Sequence, residues 1–323
     1  MEPSCVVVRR RQYVLVTKTA PTPAPNAQAG GTLAGLGAYF LWGLLPLYFA
    51  LLAPAGPLEI VAARVFFSLV VCLALVLILK EWGTLKTALR TPRTVGMLAL
   101  ASALIAVNWV VYTFAVLNGE TVSAALGYFI NPLVSTFLGV VILKERLRPL
   151  QWVAMGFGLL AVVVLTVGYG SLPLIALTLA FSFGLYGLVK NRLGHSITTT
   201  TGLTIETLVL VPFSLAFLAY LAATGQTTIT SEGPGHFLLL MGTGIITAVP
   251  LLFFGYAAQR LPLSVIGSLQ YIAPALQFVT AVVVFHEEMP PERWWGFALV
   301  WVAIAILTVD SIRSFSGSRP PKR

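Results

Sequence analysis

Apolar residues in this chain run in continuous blocks separated by short breaks that hold most of the charge. A window of roughly 19 residues, the span of a helix across a hydrocarbon core of about 30 Å, finds such blocks near 33–52, 58–79, 94–117, 121–143, 149–169, 171–189, 200–222, 236–258, 263–285 and 294–312. Strands of a membrane barrel would show short alternating segments instead. The pattern therefore predicts an all-α membrane protein with ten transmembrane helices.

Shifting the chain against itself by 142 positions brings two long stretches into register without a gap. NPLVSTFLGVVILKERLRPLQW from Asn131 meets APALQFVTAVVVFHEEMPPERW from Ala273, so that Pro132 pairs with Pro274, Glu145 with Glu287, Pro149 with Pro291 and Trp152 with Trp294. Apolar agreement is common between membrane helices, but matched Pro, Glu, Pro and Trp at fixed spacing is not. Residues 33–169 are read as a first five-helix repeat and 170–312 as a second. An odd number of spans forces the second copy to enter the membrane from the opposite side, so the repeats are expected to be inverted. That is an architecture of secondary transporters, with the substrate site near the midplane where the halves meet.

Charge orients the chain. A cytoplasmic N-terminus puts eighteen of the twenty Lys and Arg inside, leaving Arg293 outside and Arg64 within the membrane. The matched loops KERLR and HEEMPPER are basic where this topology requires cytoplasm and acidic where it requires the exterior. The net charge of +9 thus reflects sorting by loop, and with no contiguous basic patch it does not point to nucleic acid. Residues 1–32, with VVVRRRQY followed by a proline-rich run, read as a disordered cytoplasmic tail, and 313–323 as a basic cytoplasmic C-terminal tail.

With 58 % hydrophobic and 10 % charged residues and a mean hydropathy of +0.90, little polar chemistry is available. The two cysteines and three histidines are scattered, and neither a metal-ligand spacing, a nucleophile elbow nor a nucleotide-binding loop occurs. No cofactor is expected. Against this background Arg64, in VAARVFFS, and Glu206, in TGLTIETLV, stand out, and the 142-residue offset maps one onto the other. An intramembrane charge costs at least about 2.5–3.5 kcal/mol and faces a cavity or a partner. The two are expected to partner each other, directly or through water or a polar substrate group, in substrate binding, gating or the fixing of helix packing. Because both lie about six residues into their spans from opposite sides, roughly 12 Å of height separates them.

Asn108 and Tyr112 share a face of the third span; Tyr128 and Asn131 precede Pro132, and Gln270 and Tyr271 precede Pro274. A mid-helix proline frees a carbonyl and bends the helix, so Pro132 and Pro274 are expected kinks beside a substrate path. Arg64, Asn108, Tyr112, Tyr128, Asn131, Glu206, Gln270 and Tyr271 are the candidate binding or gating residues. None is assigned a catalytic role.

The runs WGLLPLY from Trp42, NWVVYTFAV from Asn108, LGYFINPL from Leu126, FSFGLYGLVKN from Phe181 and SLQYIAP from Ser268 resemble RarD-type permeases of the EamA family, in the drug/metabolite transporter superfamily. The resemblance covers about Gly30 to Asp310. It implies ten helices in two inverted repeats, a place in the bacterial inner membrane, and export of small metabolites or drugs. It further implies that helices one to four and six to nine enclose a central cavity while five and ten lie at the periphery, where a homodimer could form. The reading is a secondary active transporter for a small solute working by alternating access, with Glu206 the candidate proton-coupling carboxylate. A facilitator or channel is the nearest alternative. A membrane enzyme acting on lipid-linked substrates lacks the required groupings, since Glu287, Glu288 and Glu292 read as a solvated loop.

Overall fold

The computed structural model describes residues 25–317 except 145, 194–196, 259, 262–264 and 267–268. The described residues form helices joined by short connections, without strands. In chain order they are α1 (Pro25–Gly43), α2 (Leu45–Ala50), α3 (Pro57–Ile78), α4 (Trp82–Leu89), α5 (Pro92–Leu117), α6 (Thr121–Leu143) and α7 (Pro149–Tyr169). The second half contains α8 (Leu174–Leu193), α9 (Thr199–Ala223), α10 (Thr228–Ser231), α11 (Gly233–Ala258), α12 (Ile272–Val279) with a π-helical extension Thr280–Val284, and α13 (Pro291–Gly317). Eight of these stretches are long and apolar enough to cross a membrane, and the shorter apolar helices Leu174–Lys190 and Ile272–Val284 occupy the positions of the sixth and ninth expected spans.

Proline sets many of the boundaries. Pro57, Pro92, Pro149 and Pro291 each open a helix, where the missing N–H would have had no partner and the fixed φ suits the first turn. The described residues begin inside α1, and residues 25–32, expected as the end of the N-terminal tail, are helical. The chain carries no charge between Lys18 and Glu59, and nothing there opposes continuation of the helix outward. At the other terminus α13 runs on through Gly317, which makes 313–317 helical as well. The remainder of both expected tails lies outside the described residues.

The two expected kinks differ. Pro132 lies inside a continuous α6. Pro274 instead follows a turn at Gln270–Tyr271 and is the third residue of α12, so the chain breaks before the proline and resumes helix across it. A kink absent from the sequence expectation occurs at Leu44, where α1 passes into α2. Pro46 has no N–H to offer the Trp42 carbonyl, which accepts instead from Gln277 Nε2 of α12 at 3.1 Å.

Packing partners exchange under the 142-residue offset, which takes α1 to α8, α3 to α9, α5 to α11, α6 to α12 and α7 to α13. α1 packs on α11 and α12, while α8 packs on α5 and α6; α3 packs on α11, while α9 packs on α5. α3 and α9 cross each other, and α7 and α13 pair, tied by Arg148 and Asp310 at 2.9 Å.

α3 and α9 run antiparallel. Ser214 Oγ donates to the Ala62 carbonyl at 2.5 Å near one end, and the Cys72 and Thr204 side chains hydrogen-bond near the other. Both ends of this crossing are clasped by carboxylates. Glu59 accepts from Thr227 Oγ1, Thr228 N and Thr228 Oγ1 at 2.9, 2.7 and 3.0 Å, and His236 Nε2 lies 2.9 Å from Thr228 Oγ1. Glu81 accepts from Thr198 and Thr201 hydroxyls at 2.6 and 3.2 Å.

Candidate functional site

Arg64 and Glu206 are each the eighth residue of their helices, α3 and α9. With Cys72 beside Thr204, Glu206 faces the Cys72 end of α3. Eight residues of helix, about 12 Å, separate that level from Arg64. The two charges therefore have different direct partners, and Arg64 and Glu206 make no direct contact among the described residues.

Arg64 is buried, 4 % exposed, where α3 faces α11, α5 and α2. Its Nε donates to Thr247 Oγ1 of α11 at 2.8 Å, and that hydroxyl donates to the Thr243 carbonyl one turn earlier. The guanidinium carbon lies 4.2 Å from the Trp109 ring centroid and 5.8 Å from that of Phe49, so aromatic faces replace water around the cation. The hydroxyls of Tyr112 and Tyr128 are close enough to interact with it electrostatically.

A polar network adjoins the cation. Tyr128 donates to Asn108 Oδ1 at 2.9 Å; Asn108 Nδ2 donates to the Leu179 carbonyl and to Ser182 Oγ at 3.2 and 3.1 Å. Asn108 is thus the hub that joins α5, α6 and α8. Tyr112, edge-on to Phe49 at 5.9 Å and tilted against Tyr128 at 5.7 Å, keeps a buried hydroxyl without a hydrogen-bond partner among the described residues.

Glu206 forms a second center. Its Oε1 accepts from Lys190 Nζ at 2.6 Å and its Oε2 from Tyr186 at 3.1 Å. Tyr186 and Lys190 lie one turn apart on α8, so one face of that helix supplies both donors. An aromatic series, Tyr128 edge-on to Phe183 at 5.9 Å and Phe183 tilted against Tyr186 at 6.0 Å, links this center to the Arg64 site.

The structure thus brings Arg64, Asn108, Tyr112 and Tyr128 together and places Glu206 apart. Asn131 faces α8 near Gly184, its buried Oδ1 unpartnered among the described residues. Gln270 and Tyr271 hydrogen-bond each other at the break before α12, and Tyr271 packs beside the Phe129–Phe297 cluster. No contact joins these three to Arg64 among the described residues. Sequence reasoning missed Thr247, Phe49, Ser182, Tyr186 and Lys190. Lys190 was counted among loop cations, although its four-residue spacing from Tyr186 was the available signal. Two surface grooves, of about 180 Å³ beside Val61 and Ser214 and about 240 Å³ beside Glu120 and Arg293, do not include Arg64 in their walls.

A bundle of apolar helices, eight stretches of it long enough to cross a membrane, with a buried cation and a buried anion inside, is a multi-pass membrane protein. The EamA-like transporter family model matches residues 29–167 and again 171–309, so the chain belongs to that family and carries its domain twice. It is 51 % identical over 296 residues to Protein RarD of Streptomyces exfoliatus, covering 92 % of this chain and 93 % of that protein. It is 42 % identical over 282 residues to Protein RarD of Escherichia coli, covering 87 % and 95 %. An uncharacterized transporter, YojE of Bacillus subtilis, is 40 % identical over 278 residues, covering 85 % and 92 %. These similarities make the chain a RarD-type EamA permease and not an enzyme. A solved structure titled only as the crystal structure of a protein shares the fold with a TM-score of 0.59 at 20 % identity, covering 88 % of this chain and 98 % of that one.

Proposed function

We propose that the protein is a secondary active transporter of the bacterial inner membrane that exports a small metabolite or drug by alternating access. It would cross the membrane ten times as two inverted five-helix repeats with both termini in the cytoplasm. The observation that carries this reading is the exchange of packing partners under the 142-residue offset, since two similar halves crossing through α3 and α9 can swap conformations.

The clasps give the alternation a physical form. Lys190, Tyr186 and Glu206 close the basic, cytoplasmic end, and Glu59 with Thr227 and Thr228 closes the opposite end. Opening one end requires breaking one set while the other holds. Protonation of Glu206 would weaken its hold on Lys190, which makes this carboxylate the candidate for proton coupling. Helices α7 and α13, paired at the periphery, would offer the surface for a homodimer.

The test is metabolite profiling of medium from cells expressing the wild type, Glu206→Gln at equal membrane abundance, or no copy. A compound enriched outside only with the wild type supports export and a role for Glu206. Equal export by both proteins retains the transporter and removes Glu206 from coupling. Saturable counterflow of that compound in proteoliposomes separates a carrier from a facilitator or channel.

A further inference from the structure

Arg64 carries a charge that no anionic side chain answers among the described residues. Among the described residues no carboxylate contacts it, and α2, α5 and α11, which surround it, contain no acidic residue. Glu59, five residues earlier on α3, points its carboxylate at Thr227 and Thr228. Glu206 is held by Lys190 and Tyr186. Of the five guanidinium N–H groups only Nε–H has an acceptor among the described residues.

A packing role for Arg64 would be met by the Thr247 bond alone, which a shorter neutral amide could also make. It would not account for a cation placed 4.2 and 5.8 Å from two aromatic ring centroids with no anion beside it among the described residues. Trp109 and Phe49 hold the guanidinium by its faces and offset part of its desolvation, but they leave the terminal nitrogens uncommitted. The neighboring hydroxyls divide in the same way. Tyr128 gives its proton to Asn108, and Ser182 gives its own to the Leu179 carbonyl at 3.2 Å, so neither can donate further. Among the described residues Tyr112, at 2 % exposure, keeps a free donor, as does Ser68 one turn beyond Arg64 on α3; of the two, Tyr112 is the one whose hydroxyl interacts electrostatically with the guanidinium.

We propose that the guanidinium edge of Arg64 and the hydroxyl of Tyr112 bind the carboxylate of a small organic anion whose flat apolar body lies against the surrounding aromatic rings. This deepens the transporter reading and rests on it: the anion is the transported solute. Two parallel N–H donors match two carboxylate oxygens, and the charge pair forms where no water competes. Phosphate has the same acceptor geometry but no apolar body for Trp109, Phe49 and Tyr128 to cover. Because Arg64 is 4 % exposed, the anion reaches it only when one end of the α3–α9 crossing opens, as the alternating-access reading requires.

Calorimetric titration of the full-length protein in nanodiscs with benzoate, its neutral isostere benzamide, and inorganic phosphate tests the proposal. Benzoate is expected to bind and benzamide not. Arg64→Gln is expected to weaken benzoate about 10- to 100-fold, with Arg64→Lys intermediate because charge survives without the fork, and Tyr112→Phe to cost about 3- to 10-fold. Should Arg64→Gln fail to fold, the Lys and Phe variants decide. Equal binding of benzamide and benzoate, tighter binding of phosphate, binding unchanged in the folded variants, or no benzoate binding would each overturn the proposal. Failure of the two readings can be told apart. Benzoate bound but never moved in proteoliposomes sinks transport and keeps the site, whereas flux of a neutral solute untouched by Arg64→Gln sinks the site and keeps transport.

Discussion

Lys190 reaches across from α8 to place its ammonium 2.6 Å from a carboxylate oxygen of Glu206 on α9, and Tyr186, one turn earlier on the same face, takes the other oxygen. Glu206 is 2 % exposed in its side chain and Lys190 31 %, so the anion depends on this pair far more than the cation does.

Removing the cation should therefore destabilize the protein more than removing both charges. Lys190→Met is expected to cost about 1–3 kcal/mol, less than for a pair buried on both sides. Glu206→Gln should recover most of that cost in the double variant. Thermal unfolding in detergent of the two single variants and the double variant completes the cycle. Additive losses would mean that the two groups do not interact.

Arg64 and Glu206 should behave as independent sites despite their repeat symmetry. Exchanging the charges, Arg64→Glu with Glu206→Arg, is expected not to rescue either single variant, with a coupling below about 0.5 kcal/mol. Restored folding or abundance in the double exchange, measured by size-exclusion profiles of the solubilized protein, would contradict the separation of about two helical turns between them.

Close helix contact makes one glycine intolerant. A Cβ at Gly244 of α11 would stand 2.5 Å from the Phe67 carbonyl oxygen of α3, and backbone cannot swing away. Gly244→Ala should cost about 1–3 kcal/mol. Gly156 of α7 has nothing within 4 Å, and Gly156→Ala should be neutral or stabilizing by up to about 1 kcal/mol. The two melting temperatures should move in opposite directions or differ by several degrees.

Glu287 acts as a remote cap. Its oxygens accept from the backbone N–H groups of Thr121 and Val122 at 2.7 and 2.8 Å, satisfying the first turn of α6 from 165 residues away in sequence. Glu287→Ala should cost about 0.5–2 kcal/mol and speed amide exchange at the start of α6, with Glu287→Gln in between. Hydrogen exchange read by mass spectrometry would locate the effect. Its absence there would remove the capping role.

The matched glutamates illustrate how far the sequence could be read. Pairing Glu287 with Glu145 in a repeat marked the position as special, yet it read as part of a solvated loop, because its partners are backbone amides from the other end of the chain. Asn108, Tyr112 and Tyr128 were legible as a group: spacing on one helix and a polar residue before a proline are local signals, and the fold brings the two helices together. Asn131, Gln270 and Tyr271 carried the same local signals and joined other surroundings.

Hydropathy and the internal repeat determined on their own that this is an all-helical membrane protein built from two like halves, since those features depend on chain length, solvent and local backbone chemistry. Only the tertiary structure decided which charge meets which partner. Repeat symmetry relates Arg64 to Glu206 by position, but partnering depends on height along the α3–α9 crossing and on which neighboring helix presents a donor. Lys190 stands within reach of Glu206, whereas among the described residues beside Arg64 there are aromatic rings, tyrosine hydroxyls and a threonine but no carboxylate.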